Sequence, residues 1–343
     1  MPIHYIILYY IYTKMEFSTP VTLSKPLFTL SYTDEALLLG SCFAENIGQK
    51  LKDNKFHIDV NPFGTLYNPL SIAESIHKLL DPLDFKAEDL FQHENSYHSF
   101  SHHSRFSSSS EEDCLNKINA RLFQSSQTLT KASRLIVTFG TAYTYILRSS
   151  GQIVSNCHKL PEKLFHRKLL TVNEIVAEWK IVLSSLIEWV PGIKILFTVS
   201  PIRHWKDGAH ANQISKSTLL LAINELQKEY PNQVDYFPAY EIMMDELRDY
   251  RFYADDMIHP SALAINYIWE RFIENRVSKD SKEILKEWTQ VKKAIDHKPF
   301  QPESTTYQEF VRQTLLKIEQ IQKKMPSFDL SLEKEVLQSK RCL

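Results

Sequence analysis

Short apolar runs alternate with amphipathic stretches from about residue 36 to residue 275. Short segments rich in apolar and β-branched residues predict strands at 36–40, 58–60, 135–140, 194–200 and 234–237. Between these segments apolar residues recur at three- and four-residue spacing, as they do along one face of a helix. Strands that alternate with helices are typical of a parallel sheet covered by helices. The pattern therefore predicts an α/β fold.

Local signals place the ends of several predicted helices. Asn68 and Pro69 supply an N-cap residue followed by a proline at the first helical position. Thr171 and Glu174 have the spacing of a capping box, in which each side chain bonds the other residue's backbone N–H. Pro191-Gly192 ends the helix that this box begins.

Interruptions of the alternating pattern suggest how the chain is divided. We expect residues 1–14 to be a non-native or disordered leader, and residues 15–277 to form the sheet domain. Within that domain, polar residues 82–112 predict an excursion or mobile loop, and residues 144–160 predict a hairpin insertion. Residues 278–343 keep only helical, charge-rich patterns and predict a helical C-terminal extension.

Composition narrows the class of protein. The 343 residues carry 40 Lys and Arg against 41 Asp and Glu, so the net charge is −1. This balance argues against a nucleic-acid partner, because binding to phosphate backbones needs a concentrated basic surface. No apolar stretch approaches the ~20 residues of a membrane span. The four cysteines form no C-x-x-C pair, which favours reduced thiols. We expect a cytoplasmic protein, with secretion as the alternative because the N-terminus is apolar. The oligomeric state cannot be read from the sequence.

No motif indicates a cofactor or a metal. The chain has only seven glycines and lacks both G-x-G-x-x-G and the Walker sequence, which excludes the usual dinucleotide and P-loop chemistry. Histidines 93, 98, 102 and 103 fit none of the structural-zinc spacings and lie among serines. We therefore expect no cofactor and no metal, with a metal-dependent hydrolase as a weak alternative.

Two groups of polar residues follow predicted strands. Ser41 comes directly after the first strand, and Asp256 and His259 come after the last one. Because parallel strands end at the same edge of a sheet, a hydroxyl, an imidazole and a carboxylate could meet there. Taken alone, each residue is more often a cap or a turn residue. Cys42 is a second possible nucleophile, but a small buried thiol is the more common role.

The sequence resembles the GSCFA-domain family, part of the SGNH or GDSL hydrolase-like group. The family is named after the motif that reads here Gly40-Ser41-Cys42-Phe43-Ala44. Further matching segments run in order through residues 61–69, 138–142, 156–161, 200–204 and 256–259. The resemblance implies a three-layer α/β/α sandwich with a mostly parallel, flavodoxin-like sheet, and ester or acyl hydrolysis through a serine.

The resemblance also implies roles for individual residues. It assigns Ser41 as the nucleophile, His259 as the general base and Asp256 as the residue that orients the base. The backbone N–H groups of Ser41 and Gly64 correspond to oxyanion donors, and Gly140 opens the third family block.

One departure from the superfamily pattern concerns the oxyanion hole. The third block normally supplies an asparagine amide, but the segment here is Gly140-Thr141-Ala142, and alanine has no side-chain donor. Asn156 on the predicted hairpin is our candidate for the missing donor. Arg203 and His204 follow a strand and fall at the binding edge, where Arg203 either binds an anionic substrate group or forms a structural ion pair.

Together these observations predict a cofactor-independent serine hydrolase whose partner is a small ester such as an acylated carbohydrate. The alternative is a catalytically weak or inactive binding module for a glycan or acyl ligand, because Ala142 stands where an amide donor is expected.

Overall fold

The computed structural model describes residues 18–341, which contain ten strands and nine longer helices. The predicted leader 1–14 lies outside the described residues. The strands are β1 (Ala36–Gly40), β2 (Ile58–Val60), β3 (Leu90–His93), β4 (Ser96–Ser99), β5 (Arg134–Phe139), β6 (Tyr143–Leu147), β7 (Ile153–Val154), β8 (Phe165–Leu169), β9 (Lys194–Val199) and β10 (Val234–Phe237). The helices are α1 (Cys42–Asp53), α2 (Pro69–Leu80), α3 (Glu111–Lys131), α4 (Val172–Trp189), α5 (Gly208–Glu229), α6 (Ala262–Arg276), α7 (Lys279–Asp296), α8 (Thr305–Lys324) and α9 (Ser331–Arg341).

Five strands form a central parallel sheet in the spatial order β10-β9-β5-β1-β2. Numbered along the chain, these five strands have the order 2-1-3-4-5 of flavodoxin-like sheets. The order reverses between β1 and β5, where Gly40 lies opposite Thr138. In open sheets of this kind ligands bind beyond the strand ends at that reversal. The predicted parallel α/β sheet is confirmed, and its topology also indicates where a ligand would bind.

The sheet buries apolar side chains on both faces. Successive side chains of a strand point to opposite faces, and β1 follows this rule with Leu37 and Leu39 in one core and Leu38 in the other. The first core also contains Trp179 and is covered by α2, α3, α4 and α5. The second contains Trp288 and is covered by α1, α6 and the C-terminal helices. The result is the expected three-layer α/β/α fold.

The C-terminal helices complete the second covering layer. The indole N–H of Trp288 on α7 donates to the carbonyl of Asp53 at the end of α1, at 3.0 Å. Glu333 on α9 forms a salt bridge of 2.8 Å with Lys55. The helical extension therefore packs against the end of α1 and the residues that follow it.

Two segments contain more strand than their sequences suggest. Strands β3 and β4 form an antiparallel hairpin within the predicted excursion 82–112. Strand β6 pairs with both β7 and β8, so the predicted hairpin insertion is a three-stranded sheet. These strands are short and only partly buried, so they lack the long buried apolar runs by which the central strands are recognised. No helix within residues 18–341 has an apolar stretch long enough to cross a bilayer.

Candidate active site

A cavity of about 530 Å³ opens at the carboxyl ends of β1, β5 and β9. It therefore lies at the reversal of strand order, where the topology predicts a ligand. The segments that follow the central strands contribute Cys42, Tyr67, Thr141, Ile202, Arg203 and His204 to its wall. The β6-β7-β8 sheet and its loops cover the cavity with Tyr143, Tyr145, Asn156, Cys157 and Arg167. His259 also lines it.

His259 and Asp256 form a hydrogen-bonded pair at this cavity. The Asp256 carboxylate oxygen Oδ2 lies 2.5 Å from His259 Nδ1, which fixes the proton on Nδ1 and leaves Nε2 free to accept one. The other carboxylate oxygen accepts the backbone N–H groups of Ile258 and His259, each at 2.9 Å. These three hydrogen bonds lower the pKa of Asp256 to about 2. The carboxylate is thus ionised at neutral pH and can stabilise an imidazolium.

The local backbone explains why Asp and His three residues apart can meet. Residues 254–259 form a tight turn in which the Ala254 N–H donates to the His259 carbonyl at 2.7 Å. Met257 takes a left-handed conformation, with φ of 58°. The turn is closed by a bridge between Tyr253 and Pro260. It directs both side chains to the same side, as the spacing predicted.

The turn between β1 and α1 places Ser41 and Cys42 differently. Ser41 is the N-cap residue of α1 but makes no side-chain capping bond. Its side chain is 1% exposed, and its Oγ has no hydrogen-bond partner among residues 18–341. Cys42 is half-buried and lines the cavity, whereas Ser41 is not among the lining residues that the structure describes.

The thiol of Cys42 has groups of both charges around it. Burial raises its pKa, and the carboxylate of Glu45 acts in the same direction. The backbone N–H groups of Cys42 and Phe43 and the ammonium of Lys216 act in the opposite direction, because each stabilises a thiolate. The net effect is a pKa above the ordinary value.

Lys216 connects two strand ends beneath the cavity. Its Nζ donates to the carbonyls of Gly140 and Ser200, at 2.6 Å and 2.7 Å, just beyond β5 and β9. The side chain is 1% exposed, and burial lowers its pKa to about 7. Sequence reasoning missed this residue. The available signal was its position on the apolar stripe of α5, three residues before Leu219 and seven before Ile223.

Gly64 and Gly140, the two glycines assigned to the site, each lie where a Cβ would meet a neighbouring residue. The Gly64 N–H donates to the Asn61 carbonyl at 2.8 Å, so it is already occupied and does not support the predicted role as an oxyanion donor. Gly64 has φ of +81°, and a Cβ there would lie 2.1 Å from His103 Cβ. A Cβ on Gly140 would lie 3.1 Å from the carbonyl oxygen of Tyr67 and 3.3 Å from His204 Nε2. Both glycines permit close packing of groups that line the cavity.

Asn156 lies on the cavity wall with its amide oriented. Its Oδ1 accepts the backbone N–H of His158 at 2.9 Å, which leaves the Nδ2 group as the free end of the amide. Ala142, in the third family block, is fully buried, and its N–H donates to Ser215 Oγ at 2.8 Å. The residue at the expected asparagine position thus lies in the core, and an amide donor reaches the cavity from the covering sheet instead.

Arg203 and His204 both line the cavity. Arg203 forms no ion pair with any residue in 18–341; its guanidinium lies 4.7 Å from the ring centre of Trp205, and its Nε is buried without a partner there. Burial lowers the pKa of His204 to about 3, so its imidazole is neutral at physiological pH. By contrast, the neighbouring guanidinium of Arg167 is bound by both carboxylate oxygens of Asp207.

Of the histidines in the predicted excursion, His103 lines the cavity, whereas His98 and His102 bond serines of the same segment. His98 Nδ1 bonds Ser107 Oγ at 2.7 Å, and His102 Nδ1 bonds Ser99 Oγ at 3.0 Å. Across residues 18–341 no group of three His, Cys, Asp or Glu side chains has the arrangement of a metal site.

The fold and the cavity define a three-layer α/β/α protein with a hydrogen-bonded His–Asp pair at the switch point of its sheet. The sequence profile of the GSCFA family matches residues 35–272, which include every strand of the central sheet. A second profile, that of the GSCFA domain protein C-terminal domain, matches residues 288–340. The chain therefore belongs to the GSCFA family. No curated protein gives a significant match to it.

Proposed function

We propose that the protein is a cofactor-independent hydrolase of a small ester or acyl compound. The observation that carries the proposal is the pair of Asp256 Oδ2 and His259 Nδ1, 2.5 Å apart, whose imidazole lines a ligand-sized cavity. A carboxylate on Nδ1 keeps the imidazole in the form that can remove a proton from a nucleophile. The resemblance to SGNH hydrolases points to the same chemistry.

The reaction would proceed by nucleophilic catalysis. A hydroxyl or thiol from the Ser41-Cys42 turn loses its proton to His259 Nε2 and attacks the carbonyl carbon of the substrate. The protonated imidazole then donates its proton to the leaving alcohol. In the second half of the reaction water attacks the acyl group, His259 takes a proton from this water, and the proton returns to the nucleophile as the acid is released. The negative charge on the carbonyl oxygen is stabilised by the amide of Asn156 and the N–H groups that begin α1.

The surroundings of the cavity suggest a substrate with a polar part and an apolar part. A neighbouring cavity of about 420 Å³ shares Arg203, Trp205 and Ile258 with the first. The rest of its lining combines methionine, leucine and tyrosine side chains with the charged residues Arg248, Asp249 and Asp256. The methionine and leucine side chains suit an apolar acyl group. Arg203, which has no ion-pair partner within 18–341, suits an anionic or hydroxylated part of the substrate.

Hydrolysis of p-nitrophenyl acetate and butyrate by the wild type, His259→Ala and His210→Ala tests the proposal. His210 is exposed on α5 and lies outside both cavities, so its variant is a matched control. We expect His259→Ala to lose about 10²- to 10⁴-fold in kcat, as removal of a general base does, and His210→Ala to match the wild type. Equal turnover in all three proteins contradicts the proposal. Tight binding of a glycan or acyl ligand without turnover favours the binding module.

A further inference from the structure

The turn after β1 offers two nucleophiles, and its geometry favours the one that the family motif does not suggest. Ser41 is 1% exposed and its Oγ has no partner among residues 18–341. Cys42, the next residue, lines the same cavity as His259. A nucleophile must reach both the base and the substrate. Cys42 shares a cavity with the base, whereas the Ser41 hydroxyl is buried and outside the described lining of that cavity.

We propose that Cys42, rather than Ser41, is the nucleophile, so that the catalytic set is Cys42, His259 and Asp256. This inference rests on the proposed function, because it names the nucleophile of the same hydrolysis. Cys42 is also the first residue of α1, where the free N–H groups of a helix start favour an anion. The cavity supplies the second requirement, an imidazole whose Nδ1 is held by a carboxylate.

The charges near the thiol fit this role. Lys216 is fully buried close to Cys42, and each group favours the charged form of the other. Burial still raises the pKa of Cys42 overall, so the resting thiol is protonated. Attack therefore needs the base, as in a serine hydrolase, and does not rely on a preformed thiolate.

The step is balanced without any oxidant or reductant. The Cys42 S–H proton passes to His259 Nε2 as sulfur bonds the carbonyl carbon, and the C–O bond to the leaving group breaks as that proton is returned to the alcohol. The acyl group then forms a thioester on Cys42. Water attacks this thioester as His259 takes one proton of the water, and the C–S bond breaks as His259 returns that proton to the sulfur, which releases the acid and restores the Cys42 thiol.

Ser41 has a different position in this scheme. Its side chain is a buried part of the turn that brings the Cys42 thiol to the cavity, and its carbonyl accepts the Glu45 N–H at 3.1 Å in the first turn of α1. The adjacent Gly40 N–H is held by Asn61 Oδ1 at 2.9 Å. These contacts hold the backbone of the turn in which Ser41 is buried and Cys42 lines the cavity.

Acid-quenched acyl-enzyme analysis tests the proposal. Wild type, Ser41→Ala and Cys42→Ala are mixed with p-nitrophenyl acetate, and the acetylated residue is located by peptide mass mapping with and without neutral hydroxylamine, which cleaves thioesters much faster than serine esters. We expect a hydroxylamine-sensitive acetyl group on Cys42 in the wild type and in Ser41→Ala, and none on the turn in Cys42→Ala. An acetyl group on Ser41, or an undiminished burst in Cys42→Ala, overturns the proposal.

Iodoacetamide labelling adds a readout that does not require turnover. Cys157 lines the same cavity, and burial raises its pKa to about 11, so it serves as a comparison thiol within one protein. We expect Cys42 to be alkylated at least about tenfold faster than Cys157, and this preference to shrink in His259→Ala. Equal rates overturn the assignment. If the wild type neither turns over any ester nor forms an adduct, the proposed function itself fails, whereas turnover without a Cys42 adduct removes only the thiol.

Discussion

Replacing Asp256 with asparagine isolates the electrostatic part of the His–Asp pair. The asparagine Oδ1 can keep the two backbone hydrogen bonds that Asp256 receives from Ile258 and His259 at 2.9 Å. Its Nδ2 group, however, donates where the carboxylate accepts, and it faces His259 Nδ1 across a contact of 2.5 Å. The imidazole must then carry its proton on Nε2, and it can no longer accept one from the nucleophile.

The magnitude follows from the nature of this change. Because the turn keeps its backbone bonds, we expect Asp256→Asn to unfold at the same urea concentration as the wild type. The wrong tautomer of a catalytic histidine costs about 10³- to 10⁴-fold in kcat, and KM for p-nitrophenyl acetate should change little. Asp256→Ala should lose as much activity and also some stability, since the Ile258 and His259 N–H groups lose their acceptor.

Steady-state kinetics and urea unfolding on the same preparations make the comparison. Asp255→Asn is the matched control, because Asp255 is exposed and adjacent and should retain wild-type kcat. A loss in Asp256→Asn below about tenfold would show that the pair positions the turn without tuning the base. A pH profile of kcat gives the same distinction, since a structural role alone leaves its shape unchanged.

Three further predictions concern the cavity wall and the core. Asn156→Ala should lower kcat by about 10²- to 10³-fold, as loss of one oxyanion donor does, and unchanged kcat for p-nitrophenyl acetate would remove its amide from the site. Gly64→Ala should be less stable to urea than Gly192→Ala, because both glycines have positive φ but only at Gly64 would a Cβ meet a neighbour, His103, at 2.1 Å. Backbone strain costs about 1–3 kcal/mol in each variant, and the clash costs Gly64→Ala about 1–3 kcal/mol more. Equal losses of stability in the two variants would contradict this packing. Burial lowers the pKa of His102 from 6.5 to about 3, so its neutral form contributes stability that is complete above pH 6.5. This contribution falls by about 1.4 kcal/mol per pH unit between roughly pH 6 and 4. The unfolding free energy of His102→Phe should therefore depend less steeply on pH than that of the wild type, by this slope, and parallel curves would refute the prediction.

Strands β1, β5 and β9 were the clearest predictions because each buries a continuous apolar or β-branched run, whereas β2 and β10 each include an aspartate. Strand β1 was predicted at 36–40 and lies there, since all five of its residues are buried between two layers of helices. The covering sheet was predicted only in part. In β8 the sequence Phe-His-Arg-Lys-Leu buries little more than its first residue, so the strand depends on pairing with β6 and leaves no apolar pattern.

Some features of the candidate site could be predicted from the sequence, and others depend on the tertiary structure. The sequence alone determined that Asp256 and His259 lie on one turn, because local backbone geometry decides whether residues three apart can meet. The tertiary structure placed Asn156, a candidate from the sequence, at the cavity wall. It also decided what no spacing reveals: that the Gly64 N–H is already bonded, and that Lys216 links the ends of β5 and β9.

The choice between Ser41 and Cys42 is the clearest example of this division. The sequence by itself determined the parallel α/β class and the strand end at which a nucleophile would stand, because burial and helix capping act on neighbouring residues. Successive residues at the start of a helix point in directions about 100° apart, so only the packing of β1 and α1 against their neighbours could decide which side chain faces the cavity and which is buried.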